Sequence, residues 1–138
     1  MPRGLVLGGR VLAAVLVLIG GYIHLKLYFD GYRDVPDANL GRSFLLNAAA
    51  ALVVAVALVV WRNVLALVAG LILVNATLVG FAMARTSRGI FGFTESGFQP
   101  SPEATISVIV EVGAAVVLIA LLYLELREPA PARQPAIG

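Results

Sequence analysis

The chain contains no cysteine. Disulfides, thiolate metal sites, iron–sulfur clusters and a thiol nucleophile are therefore excluded. Histidine occurs once, at His24, so one chain cannot ligate a haem through two histidines. Met1 and Met83 are poor second ligands, and one histidine with one apolar-segment acid, Glu111, makes too thin a donor set for zinc. Charge is scarce as well: 13% of residues are charged against 60% hydrophobic, and the mean hydropathy is +0.95. A soluble domain of 138 residues needs far more polar side chains to cover its surface. The net charge of +2 is scattered, with no basic patch interleaved with aromatics, so nucleic acid is excluded as a partner. Strand patterns, a glycine-rich phosphate loop and a supported Ser/His/Asp arrangement are also missing. The sequence offers no catalytic motif, and no cofactor is expected.

What is present is four long apolar runs. Residues 11–29 cover ~28 Å of helix, about one hydrocarbon core. This run is too long for a signal peptide and is followed by no small-residue cleavage site, so an uncleaved helix is expected. Residues 44–61 are nearly pure Ala, Val and Leu, and Arg62 and Asn63 separate them from the third run. So short an interruption demands a tight antiparallel hairpin. The fourth run opens on Ser101-Pro102-Glu103, which reads as N-cap, first helical position and first-turn acid. The expected fold is all-α, a four-transmembrane-helix antiparallel bundle in one domain over 1–126, with helices at about 5–29, 43–61, 64–85 and 102–126. Residues 127–138 are proline-rich and read as a disordered tail.

Orientation rests on fine points. With the N-terminus inside, Arg3, Arg10, Arg62, Arg127 and Arg133 face the cytoplasm, while Lys26, Arg33, Arg42, Arg85 and Arg88 face out. That count is a tie. The external basics share their loops with Asp30, Asp34, Asp37, Glu95 and Glu103, and the first helix begins with Arg3 and Arg10. Both points favour cytoplasmic N- and C-termini.

Each run carries a polar side chain that lipid would not welcome: His24 with Lys26, Asn47, Asn75 with Thr77, and Glu111. A rise of ~1.5 Å per residue places all four in one half of the bilayer, with Asn75 the deepest. Asn47 shares a face with Ala51 and Ala55, and Glu111 with Ser107 and Ala115. His24 follows Gly20 and Gly21 by one turn. Small-residue faces favour helix contact, so these groups are expected to form one inward polar layer. The plain readings are interhelical bonding for Asn47, Asn75 and Thr77, each worth under ~2 kcal/mol, and a snorkelling Lys26. His24 taken alone reads as a satisfied core residue. Tyr22, Tyr28, Phe29, Tyr32, Trp61, Phe91, Phe93 and Phe98 read as an interfacial belt. For Glu111, a structural role and a functional one stand side by side, because an intramembrane acid is costly when ionised. A functional Glu111 is expected within hydrogen-bond reach of His24, directly or through a water or an amide of Asn47 or Asn75. The loop from 85 to 103 is read first as an aromatic interfacial segment and second as a lid over the polar layer, with Glu95 its one inward-facing carboxylate.

Arg10 leading into Gly20-Gly21 and His24, "FLLNAAAA" at 44–51, "GIFGFTESGF" at 89–98 and "VEVGAA" at 110–115 together resemble the DoxX-like small four-helix membrane proteins. The likeness is strongest to short actinobacterial members and covers most of the chain. It implies a bundle in the bacterial cytoplasmic membrane, and some DoxX-like proteins are membrane subunits of quinone-coupled oxidoreductases. The leading expectation is a non-enzymatic protein, in contact with the lipid bilayer, whose polar layer binds a small amphipathic ligand or docks a partner subunit. The candidate residues are His24, Asn47, Asn75, Glu111, Lys26 and Glu95. The alternatives are a proton-coupled exporter using Glu111, working as a homodimer, and a quinone-binding subunit of a redox complex.

Overall fold

The computed structural model describes residues 3–127. Four helices carry the chain: α1 (Arg3–Phe29), α2 (Ala38–Val60), α3 (Val64–Ala84) and α4 (Glu103–Arg127), with a 3-10 turn at Tyr32–Asp34 between the first two. Each is long and apolar enough to cross a membrane. Among the described residues there is no strand, only an isolated bridge between Ile90 and Phe93. The proline-rich tail lies, from residue 128 on, outside the described residues.

Contacts at the two ends show the direction of each helix. Near the start of α1, Arg10 bonds to carbonyls at the end of α2 and to Asn63, and pairs with Glu125 near the end of α4. Near the end of α1, Lys26 pairs with Glu103 at the start of α4. The bundle therefore runs up-down-up-down, each helix packed on its neighbours in sequence and α4 closing against α1. We refer to the Arg10 end and, opposite it, the loop end.

The core is built from small residues and leucine. Ala13, Ala14, Val17, Ala51, Ala55, Leu58, Leu67, Ala114 and Leu118 form one buried cluster. On α4 the buried stripe Ala104, Ser107, Glu111, Ala114, Leu118, Leu121 recurs every three to four residues, as a helix face must. Gly21 brings α1 against α2 so closely that a Cβ there would lie 2.5 Å from the Ala51 Cβ. The outward faces are as apolar as the core: Leu65 is 75% exposed, Leu46 70%, Ile72 66% and Ile109 65%. Water would not tolerate that surface, and lipid requires it. The chain is a four-helix integral membrane protein.

Two boundaries differ from the sequence reading. Helix α2 begins at Ala38, five residues before the expected 43, because Asp37 caps it: its carboxylate accepts the Asn39 amide at 2.8 Å. Hydropathy detects only the lipid-embedded part of a helix, and the first turn of α2 is polar. Helix α1 begins at Arg3, two residues before the expected 5, and Arg10 within it is buried rather than a free cytoplasmic charge. Arg10 is only 2% exposed. Its guanidinium meets Glu125 at 2.5 Å and the Leu58, Trp61 and Asn63 carbonyls at 3.3–3.4 Å. It thereby supplies donors to the C-terminal carbonyls of α2, which no intrahelical N–H can reach.

Candidate functional site

Toward the loop end the four helices line a partly open cavity of about 610 Å³, within the usual range for small-molecule sites. Most of its wall is apolar, from Leu27, Val54, Leu73 and their neighbours. The polar groups that reach it are His24, Ser43, Asn47, Thr77, Ser107 and Glu111 from the helices, with Tyr32, Arg85, Glu95 and Gln99 at its mouth.

Glu111 sits at the contact between α4 and α1 and is 4% exposed. Gly20 makes room for it: a Cβ there would lie 2.5 Å from Glu111 Oε1. The other carboxyl oxygen, Oε2, is buried and has no hydrogen-bond partner. Such a group carries the full cost of desolvation with nothing to offset it. The same glycine receives His24, whose Nδ1–H donates to the Gly20 carbonyl at 2.8 Å. The neutral ring then keeps Nε2 as an acceptor. Its face packs on Phe44 at a centroid distance of 5.1 Å. His24 and Glu111 therefore converge on one turn of α1, and no direct hydrogen bond joins them.

Across the cavity, Asn47 Nδ2 donates to Thr77 Oγ1 at 2.7 Å, linking α2 to α3. Thr77 in turn donates to the Leu73 carbonyl. The Asn47 amide oxygen stays available as an acceptor.

Ile90, Phe93, Glu95, Gln99 and Pro100 of the loop between α3 and α4 line the cavity, the arrangement expected of a lid, the second of the two sequence readings. Phe91 and Gly92 both have positive φ, 52° and 73°, which makes the tight turn that sets Ile90 beside Phe93. Both residues line the cavity. Arg85 fastens the lid by donating to the Gly97 and Gln99 carbonyls at 2.8 and 2.7 Å while stacking over Phe81. It also faces Glu95 at 3.5 Å. Tyr32 stacks on Phe44 and meets Phe93 edge-on, and its hydroxyl donates to Glu95 Oε1. Burial first, and then the bond to Glu95, push the Tyr32 hydroxyl well above the ordinary tyrosine range.

The expected site residues thus separate. His24, Asn47, Glu111 and Glu95 line one cavity. Asn75 does not: it is exposed on the outer face of α3, where its amide donates to the Leu71 carbonyl. That carbonyl, one turn back, lets Asn75 face outward without an unpaired donor. Lys26 is also outside, its side chain 41% exposed and tied to Asp30 and Glu103. The aromatic belt divides too. Tyr22, Phe29, Trp61, Phe91 and Phe98 are exposed as expected, whereas Tyr32 and Phe93 join Phe44 and Phe81 around the cavity. Arg85 was counted only as a loop charge. Its spacing of four from Phe81 at a helix end was the signal for its stacking role. Among the described residues, no cluster of His, Asp and Glu could hold a metal ion.

The class that fold and site define is a multi-pass membrane protein with a lidded, largely apolar cavity and one unpaired buried acid. No family model, curated protein or solved structure matches the chain.

Proposed function

We propose that this protein binds a small amphipathic molecule in the cavity, with Glu111 receiving its polar end. One observation carries the reading: Glu111, whose Oε2 is buried and unpartnered, is among the residues that line an apolar cavity of about 610 Å³. A bound molecule that donated to Glu111 Oε2 would remove the desolvation cost the empty fold bears. The apolar wall suits a hydrocarbon body, and the polar groups at the closed end suit a small head. Arg3 and Arg10 support cytoplasmic termini, and with them a site in the outer leaflet. The DoxX-like resemblance supports a bacterial cytoplasmic membrane as its location.

Export is the less supported alternative. Below the cavity the bundle is closed: a Cβ on Gly70 would lie 3.0 Å from Leu118 and 3.6 Å from Val54, and Leu58, Leu67 and Leu118 are fully buried. A ligand reaching Glu111 has no path onward to the Arg10 end.

The test is native mass spectrometry of protein taken from membranes in mild detergent, comparing wild type with Ala50→Phe, which fills the cavity from α2. Wild type should carry a small molecule at defined mass and the variant should not. Equal retention by a folded variant would remove the cavity from the account.

A further inference from the structure

The cavity has two possible mouths, and they differ in chemistry. At the water side the lid is fastened by Arg85, Glu95 and Tyr32. On the flank, between α2 and α3, the lining residues Leu46, Ala69, Ile72 and Ala76 are also exposed on the outside of the bundle. Leu46 and Ile72 are among the most exposed apolar side chains of the protein. These four share the cavity wall and the lipid-facing surface, and none is polar. The flank is an opening toward hydrocarbon.

The groups inside point to what enters. His24 has committed its Nδ1–H to the Gly20 carbonyl, and Asn47 one of its two amide N–H groups to Thr77. What they retain toward a ligand is Nε2, an amide oxygen and one amide N–H. Glu111 Oε2 is a further acceptor, buried and with no partner at all. The other charged groups at the cavity, Glu95 and Arg85, face each other. A buried carboxyl without a partner, beside the free Nε2 of His24, favours a head rich in donors. An ammonium carries three and no acceptor, and it pairs with a carboxylate whichever of the two brings the proton. A carboxylate head would meet Glu111 as a like charge, and an alcohol would supply one donor only.

We propose that the cavity admits a lipid-dissolved aliphatic amine through the α2–α3 flank and seats its amino group on Glu111. This deepens the ligand-binding reading and rests on it. The flank explains how an amphipath enters while the lid stays closed, and the unpartnered Glu111 carboxyl explains which head is retained.

The probes are n-decylamine, n-decanol and n-decanoate, added to purified protein in detergent and read by thermal unfolding. Decylamine should raise Tm most, decanol less and decanoate not at all. Glu111→Gln, which keeps the shape, should lose the preference for amine over alcohol by tenfold or more in apparent affinity. For the route, stopped-flow association in nanodiscs should be slowed about tenfold by Ala76→Trp and left unchanged by Phe98→Ala, which frees the lid from Phe81 without touching the cavity wall. If decanol or decanoate binds as well as the amine, the amine assignment is overturned while amphipath binding stands. If none of the three shifts Tm, the ligand-binding reading falls and the amine assignment with it. Faster association with Phe98→Ala, together with no slowing by Ala76→Trp, would overturn the lateral route.

Discussion

Adjacent glycines on α1 offer a paired perturbation whose two halves should behave differently. At Gly21 an added Cβ meets the Ala51 Cβ at 2.5 Å, with the Ala48 backbone at 3.6 Å behind it. Carbon atoms pack best at about 3.5–4.0 Å, so Gly21→Ala must push α1 and α2 apart by about 1 Å. Overpacking of this kind costs about 1–3 kcal/mol. The helix-propensity gain of Gly→Ala returns up to ~1 kcal/mol, leaving a net loss of roughly 0–2 kcal/mol. At Gly20 the nearest atom, also at 2.5 Å, is Glu111 Oε1, the far end of a flexible side chain. The carboxyl can swing away, so Gly20→Ala should keep most of the propensity gain and change stability by less than ~1 kcal/mol. Its effect should appear in function, because Glu111 no longer faces the cavity from the same place. The assay is thermal unfolding in detergent alongside retention of the co-purified ligand. Gly21→Ala should lower Tm while the folded fraction still binds. Gly20→Ala should leave Tm nearly unchanged and lose binding. A Gly20→Ala protein that binds normally, or that unfolds as readily as Gly21→Ala, would refute the argued placement of Glu111.

Three further outcomes follow from the geometry. Arg10→Met should destabilise the bundle by about 2–3 kcal/mol, below the ~3–5 kcal/mol of a fully buried pair because Glu125 can rehydrate; adding Glu125→Gln should recover part of the loss in the same unfolding assay. Tyr32 is held protonated by burial and by Glu95, so its stabilisation is complete below its unfolded pKa of about 10 and is lost as pH rises above that. The wild-type Tm should therefore fall faster with pH than that of Tyr32→Phe, and parallel curves would show that the hydroxyl contributes nothing to the lid. Single cysteines at Asp37 and Phe93 should both react with a membrane-impermeant thiol reagent in intact cells and Asn63→Cys should not, a clean experiment in a chain with no native cysteine; labelling at Asn63 alone would invert the orientation.

The four spans were legible because apolar length is a property of contiguous sequence. The polar layer was partly legible for the same reason: depth follows from counting residues, and His24, Asn47 and Glu111 do share a cavity. Rotation about each helix axis was harder to read. The faces of α3 are almost equally apolar, so nothing in its pattern says that Thr77 points in and Asn75 points out. The burial of Arg10 was not legible because its partner, Glu125, lies 115 residues away. A basic residue at the head of an apolar run looks like a free charge until that pairing is known. The lid depended on aromatic residues whose interfacial and cavity-lining uses have the same composition. Only their contacts with Phe44 and Arg85 separate the two.

The central claim is that Glu111 is unpartnered because its partner is a ligand. A crystal structure of protein grown from a lipidic phase, without added amphipath, tests it most directly. The account predicts non-protein density in the cavity, with a donor within about 3 Å of Glu111 Oε2. An empty or collapsed cavity, with that oxygen bonded to a side chain of the protein itself, would contradict it.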